Sequence, residues 1–197
     1  MKKKIISLLL AVLMVSAVAL AFTSCGNREA AYKVTHYATI EIKNYGTIEL
    51  ELYGETAPLT VQNFVKLANE GFYEGLTFHR IISGFMIQGG GYDVSDNEIE
   101  TDTIKGEFSS NGVKNPIKHE RGVISMARTN VKDSASSQFF IMHADASHLD
   151  GEYAAFGKVT SGIEVVDAIC KEVPQGSNGA VDIFYRPVIE KVTIREA

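Results

Sequence analysis

Two stretches near the start of the chain alternate polar and apolar residues with period two: Thr39-Ile40-Glu41-Ile42 and Thr47-Ile48-Glu49-Leu50-Glu51-Leu52. Only extended backbone sends every second side chain to the same side, so the pair must form strands with one buried and one wet face. Lys43-Asn44-Tyr45-Gly46 between them has the composition of a hairpin connection. Further short strands are predicted at Phe78–Ile82, Phe85–Gln88, Val123–Met126, Phe139–Met142, Ala155–Val159 and Val188–Ile194. Helical spacing is confined to two places. Val61, Phe64, Val65 and Ala68 fall at i, i+3, i+4 and i+7, with Thr56 as the predicted N-cap, Pro58 in the first turn and Gly71 as the stop. A second helix is predicted over Ile163–Lys171. Many short strands with two isolated helices argue against a doubly wound parallel sheet and for a mainly β fold, a closed antiparallel barrel.

The amino terminus obeys a different pattern. Lys2, Lys3 and Lys4 precede an apolar run from Ile5 to Phe22, broken only by Ser7 and Ser16, with no acid before Glu29. That is the composition of an export signal. Its length also matches an uncleaved membrane span, which needs roughly 17–25 residues. Phe22-Thr23-Ser24-Cys25 resembles a bacterial lipobox, in which a cysteine after small residues receives lipid and becomes the new terminus; Phe22 stands where leucine is usual. This reading predicts a lipoprotein signal peptide over 1–24, a lipid-anchored spacer over 25–36 and a folded domain over 37–197. Cys25 would then hold the domain on the extracytoplasmic side of a bacterial membrane. The alternatives for Cys25 are an ordinary cysteine at the end of a signal or a disulfide partner for Cys170. Cys170, within the apolar segment GIEVVDAICKEV, is predicted to be a small buried side chain. With no CxxC pair, redox chemistry and a structural zinc site have no support.

Loss of residues 1–24 removes three lysines and no acids, taking the net charge from −5 to −8. A domain of that sign disfavours nucleic acid and is not drawn to anionic lipid, so attachment must come from the terminus. The remaining length suits one domain, expected to be monomeric, and there is no internal repeat.

The stretch Phe78–Gly91, FHRIISGFMIQGGG, sets one arginine among large apolar groups. Arginine stays charged at physiological pH and offers five donors in a rigid fork, so it serves as a fixed hydrogen-bond donor and not as a general acid. Rotation about an X-Pro bond suits that equipment. It needs no proton transfer and no nucleophile. Its barrier is amide resonance of roughly 18–20 kcal/mol, which a donor aimed at the prolyl nitrogen weakens.

Three further words follow: GVISMAR from Gly122, SASSQFFIMH from Ser134 and HLDGEYAAFGKV from His148. In order and approximate spacing the four resemble the cyclophilin-type peptidyl-prolyl cis-trans isomerases, and the resemblance runs from about Thr39 to Ile194. It implies an eight-stranded barrel plugged by two helices, an outer catalytic groove, and isomerase activity on proline-containing polypeptides without cofactor, metal or covalent intermediate. It also implies that Arg80 contacts the prolyl amide and that Gln88 holds Arg80 and the substrate backbone in register. Phe85, Met86, Phe140 and Leu149 would seat the proline ring, and Ala127, Arg128 and Gln138 would line the neighbouring wall. Period-two spacing agrees, placing Met86 with Gln88 and Gln138 with Phe140 on shared strand faces.

The chain departs from the best-known eukaryotic pattern in or beside the groove. Ser83 replaces a proline, His148 a tryptophan, Tyr153 a histidine, and Arg128 an asparagine. Weakened cyclosporin binding is expected, because histidine supplies less area than an indole. The principal alternative function is a tethered module that grips proline-containing segments with little turnover, which would have no need to keep Arg80. A solute-binding lipoprotein would need a longer, two-lobed chain. Gly89-Gly90-Gly91 lacks the lysine and helix start of a phosphate cradle. The five histidines show no metal-binding spacing, and His79 is expected to be a hydrogen-bonded structural residue on the opposite face from Arg80. The acid-rich stretch Asp93–Asp102 reads as a solvated loop whose spacing lacks the full calcium-loop pattern.

Overall fold

The hairpin forms where alternation demands it: β1 (His36–Ile42) pairs antiparallel with β2 (Gly46–Leu52), Ile40 facing Ile48 and Ala38 facing Leu50. The apolar positions of both strands are buried and the alternate ones are exposed or half-buried. The structure, a computed structural model, describes residues 32–99 and 101–197. The signal, the lipobox and Cys25 lie outside the described residues.

Six further strands and two helices follow: α1 (Pro58–Asn69), β3 (Leu76–Ile82), β4 (Met86–Asp93), β5 (Val123–Met126), β6 (Phe139–Met142), β7 (Ala155–Ser161), α2 (Ile163–Glu172) and β8 (Ile189–Glu196). The strands make one sheet in the order β3-β4-β6-β5-β7-β2-β1-β8, antiparallel throughout. Strand β4 runs on through the glycines to Asp93, beyond the expected Gln88. Glycine is needed there: a Cβ on Gly91 would sit 2.5 Å from the Gln138 side chain, and one on Gly89 2.8 Å from Thr77 O.

The ladder ends at β3 and β8; between these edges run an isolated bridge from Thr77 to Val188, just before β8, and the bond from Gly75 N–H to Ile189 O at 2.9 Å. The result is a curled eight-stranded half-barrel rather than the fully laddered closed barrel expected. The physical reason lies at the seam. Pro187 has no N–H to contribute and only accepts, from Phe78 N–H at 2.9 Å. Further along, residues 180–181 occupy the β3 edge through the Arg80–Ala180 bridge and the Val181 N–H bond to His79 O.

Both helices turn apolar faces to the concave side of the sheet. Val61, Phe64, Leu67 and Ala68 of α1 and Val165, Val166, Ile169 and Cys170 of α2 join the inward residues of the strands in one cluster. At its centre the Phe64 ring lies 5.2 Å from Tyr73, 5.4 Å from Phe156 and 5.6 Å, edge-on, from Phe139. Cys170 is a buried free thiol, pushed up to about 11 by burial and then by Asp167.

Thr56 does not cap α1. The flanking residue is Ala57, which makes no side-chain cap, and the cap comes from Glu107, 47 residues on from Thr60. Its buried carboxylate accepts Leu59 N–H at 3.1 Å, Thr60 N–H at 2.8 Å and the Thr60 hydroxyl at 2.7 Å. A negative group at a helix start satisfies orphan donors and complements the helix dipole. Tyr32–Thr35, expected at the end of the spacer, already pack on the domain. Tyr32 lies 5.1 Å from the Tyr53 ring, and Thr35 N–H donates to Leu52 O at 2.9 Å.

Candidate active site

Alternation along β4, β5 and β6 sends half of their side chains to the convex side. Met86, Val123, Phe140 and Met142 leave the inner cluster and join Leu149, Tyr53, Ile117, Ala146 and Ala155 in a second one. Across this face the register is continuous: Arg80 on β3 stands opposite Gln88 on β4, Gln88 opposite Phe140 on β6, and Phe140 opposite Ser125 on β5. One transverse row thus carries a cation, an amide, an aromatic ring and a hydroxyl.

A groove of about 320 Å³ opens along this row. Its floor is Met86, Phe140 and Leu149, each less than a tenth exposed, with half-buried Phe85 at the side. Arg80 and Gln88 form one rim, and Ala127, Arg128, His148 and Tyr153 complete the lining. The fold therefore gathers ten of the eleven residues predicted for the groove. The eleventh, Gln138, lies in the adjoining depression of about 410 Å³ with Glu98, Thr101 and Thr103, which shares Gln88, Ala127 and Arg128 with the groove.

Arg80 is held like a bracket. Its Nη1 donates to Gln88 Oε1 at 3.2 Å, and Gln88 Nε2 donates in turn to Gln138 Oε1 at 3.0 Å. From the other side Nε donates to Asn178 O at 3.0 Å and Nη2 to Asn178 Oδ1 at 3.1 Å. Among the described residues, three of its five N–H donors are engaged, which leaves one on each terminal nitrogen. Asn178 was not foreseen. It takes a left-handed φ of 54° in the Ser177–Gly179 turn, and the Gly-Ser-Asn-Gly composition was the available signal.

The other wall is stiffened by rings. His148 stacks on Phe85 with centroids 5.7 Å apart, and Tyr153 meets Phe140 edge-on at 5.8 Å. Arg128 does not offer a free charge to the groove. Its guanidinium lies between Phe108 (5.0 Å) and Tyr153 (4.7 Å), and Nε, Nη1 and Nη2 donate to the carbonyls of Glu152 and Thr129 at 2.9–3.0 Å.

Behind the floor, His119 stacks on Phe140 at 6.0 Å. Asp150 Oδ1 lies 3.3 Å from its Nδ1, and Ser125 Oγ 3.1 Å from its Nε2. In the neutral ring, Nδ1–H donates to the carboxylate and Nε2 accepts the serine hydroxyl. Burial lowers its pKa against the opposing pull of Asp150. Burial works to raise the Asp150 pKa, but hydrogen bonds from His119 and Lys118 outweigh it and the carboxyl stays low. Sequence reasoning missed this buried support because a lone histidine among charged neighbours, Lys118-His119-Glu120-Arg121, carries no spacing signal.

His79 departs from expectation. Its ring packs 4.6 Å from Tyr92 and its buried Nδ1 has no hydrogen-bond partner among the described residues. Burial, with Arg186 and Arg80 nearby, lowers its pKa to about 4. In the acidic loop, Asp93 accepts the N–H groups of Ser95 (2.7 Å) and Asn97 (2.9 Å), and Asp96 pairs with Arg186 at 2.6 Å.

The profile of the family described as "Cyclophilin type peptidyl-prolyl cis-trans isomerase/CLD" matches residues 37–197. The chain belongs to that family. Among relatives, the cyclophilin-type chain is 43% identical over 140 residues to peptidyl-prolyl cis-trans isomerase A of Dickeya dadantii, covering 68% of this chain and 72% of the relative. It is 41% identical over 153 residues to isomerase B of Escherichia coli, covering 72% and 90%. With isomerase B of Bacillus subtilis it shares 53% identity over 110 residues, 56% of this chain and 73% of the relative. A crystal structure of a Cryptosporidium parvum cyclophilin-type isomerase superposes with a TM-score of 0.67 at 27% identity, covering 83% of this chain and 99% of that one. A second structure of that protein was obtained in the presence of the dipeptide Ala-Pro, also with a TM-score of 0.67.

Proposed function

We propose that this cyclophilin-type isomerase accelerates rotation of X-Pro bonds in exported polypeptides, with Arg80 as the catalytic donor and the Phe85–Met86–Phe140–Leu149 floor as the proline seat. The observation that carries the reading is the coincidence of two features in one groove: a cation with donors to spare, and an apolar floor one strand away. A twisted amide has lost conjugation and is less polar than a planar one, so an apolar seat favours it relative to water. The twisted nitrogen also gains a lone pair that accepts a hydrogen bond, which the planar nitrogen hardly can. Both effects act on the transition state more than on the ground state. Gln88 and Asn178 supply preorganisation: the guanidinium does not have to be ordered when the substrate arrives. Gln88, Gln138, Ala127 and Arg128 bound the path for residues preceding the proline. The alternative, a module that binds proline segments with little turnover, explains the floor but not a cation bracketed from two sides.

The setting follows from the terminus. Cleavage before Cys25 with lipid on that cysteine leaves Gly26–Ala31 as the tether, since Tyr32 is already attached, and six extended residues reach about 20 Å. Titration of an Ala-Pro peptide followed by NMR should shift Phe85, Met86, Phe140 and Leu149 resonances; shifts clustered elsewhere remove the seat. Intact-mass analysis of native protein should show a lipid-modified Cys25, and an unmodified Cys25 at or inside the mature terminus contradicts the tether. His148 at the Phe85 side is expected to weaken cyclosporin binding, with His148→Trp restoring affinity in the same titration.

A further inference from the structure

The turn that delivers Phe85 into the groove is built almost wholly on borrowed partners. Within the β3–β4 connection itself the bond from Phe85 N–H to Ile82 O, at 3.0 Å, closes the turn, and Gly84 takes a left-handed φ of 78°. The remaining groups reach out. Ser83 N–H donates to Gln175 Oε1 at 2.9 Å, and Phe85 O accepts the N–H groups of His143 (2.9 Å) and Ala144 (3.3 Å). Gly84 N–H donates at 2.8 Å to a ring nitrogen, His143 Nδ1. His143 is thus attached to the turn by both backbone and side chain, on the two residues flanking the Gly84–Phe85 peptide.

A backbone N–H can only donate, so Nδ1 must be the bare nitrogen and Nε2 must carry the proton. The surroundings suit that tautomer, because Nε2 lies 3.1 Å from Asp167 Oδ1 on α2. Arg121 ties the same pair, donating Nη1–H to His143 O at 2.7 Å and Nη2–H to Asp167 Oδ2 at 2.8 Å, while Asp145 accepts Arg121 N–H at 2.8 Å. Asp167, Arg121 and Asp145 are the charged groups around the ring. Asp167 continues to accept from Nε2–H whether or not the ring is charged. Proton uptake at Nδ1 changes only the other side: an acceptor becomes a donor facing the Gly84 N–H.

The geometry points to His143 as a positioning residue for the isomerase reaction, holding the Ser83–Phe85 turn closed through its bare Nδ1 and its backbone N–H. The assignment rests on Phe85 being part of the proline seat. His143 touches no substrate and acts only through the turn. The Phe85 ring supplies contact area to the bound proline in either amide geometry, over and above the preference of the seat for the twisted form, so its release raises KM as well as lowering kcat.

Three variants test this, with kcat and KM measured on an X-Pro peptide at neutral pH. His143→Ala should raise KM about three- to tenfold, the worth of one net hydrogen bond. His143→Asn puts an amide oxygen near the Nδ1 position, where it accepts the Gly84 N–H; it should restore KM. Phe85→Ala should raise KM by at least as much as His143→Ala. A folded His143→Ala protein with unchanged KM overturns the inference, as does His143→Asn that loses as much as alanine. If His143→Ala fails to fold, the asparagine variant decides alone: a KM raised as far as in Phe85→Ala overturns the inference. Unchanged KM in Phe85→Ala overturns the seat as well, whereas loss in Phe85→Ala without loss in either His143 variant overturns only the role of His143.

Discussion

Phe139 and Phe140 are neighbours on β6, and both are at least 95% buried, yet they belong to different regions of the molecule. Phe139 points inward and meets Phe64, Tyr73 and Phe78 edge-on at 5.6–5.9 Å. Phe140 points outward, packs between His119 and Tyr153, and forms the floor of the groove. The inner ring is enclosed by helices and strands on every side. The outer ring is backed by His119 and flanked by Tyr153, and what remains of it lines the groove. Burial alone therefore does not separate core from site; what separates them is whether the last neighbour is protein or open groove.

The sharpest contrast comes from truncating each ring. Phe139→Ala should cost about 3–5 kcal/mol of stability, as large cavities in aromatic cores do, read as a lower urea midpoint. The protein that remains folded should keep its kcat/KM. Phe140→Ala should lower kcat/KM about tenfold to a hundredfold, the equivalent of about 1.5–3 kcal/mol of lost ring contact. Equal losses of activity per folded molecule in the two variants would erase the distinction.

A smaller effect probes the rim instead of the floor. Asn178→Ala removes one acceptor from Arg80, the Oδ1 that takes Nη2–H, and leaves the Asn178 backbone carbonyl and Gln88 in place. It should lower kcat by about three- to tenfold, with a stability cost of about 1 kcal/mol because alanine is disfavoured at the left-handed φ of 54°. Peptide exchange rates at saturating substrate check this, and an unchanged kcat would mean that Gln88 and the Asn178 backbone carbonyl suffice to hold the guanidinium.

Acid should reach the outer region first. His79 and His119 are kept neutral by burial, with folded pKa values below the ordinary 6.5, His79 near 4. The unfolded chain binds their protons sooner, so stability is fully present above about pH 6.5 and falls as pH drops toward about 4. The slope from each is at most about 1.4 kcal/mol per pH unit. The inner cluster holds Tyr73 and Cys170, whose pKa values burial raises, so both stay neutral throughout that range. Urea midpoints measured across pH 4–7 should decline toward acid, and His79→Gln should flatten the lower part; a midpoint independent of pH would contradict the neutral assignment.

Legibility in the sequence followed the range of the interactions. The β1–β2 hairpin was readable because period-two alternation is a local consequence of strand geometry. The groove was readable because its residues sit in four contiguous words, and the register of β3, β4 and β6 then brought Arg80, Gln88 and Phe140 into one row. What escaped was held together across the chain. Glu107 caps α1 from 47 residues away, and Asn178 braces Arg80 from 98 residues away. His119 supports Phe140, and His143 reaches Gly84, each from a different segment. Polar residues in loops announce turns, not partners. The seam between β3 and β8 was likewise invisible, because Pro187 acts on it through a hydrogen bond that it lacks.

The central claim is that a guanidinium bracketed by Gln88 and Asn178 donates to the twisted prolyl nitrogen. Its most direct test is the cis/trans exchange rate of an X-Pro peptide with wild type and with Arg80→Ala, both shown to be folded by circular dichroism. Uncatalysed exchange takes tens to hundreds of seconds, so a modest acceleration is measurable. Wild type should be active and Arg80→Ala about 10²–10³ slower, the scale of removing one preorganised donor. A folded Arg80→Ala protein as fast as wild type would contradict the account.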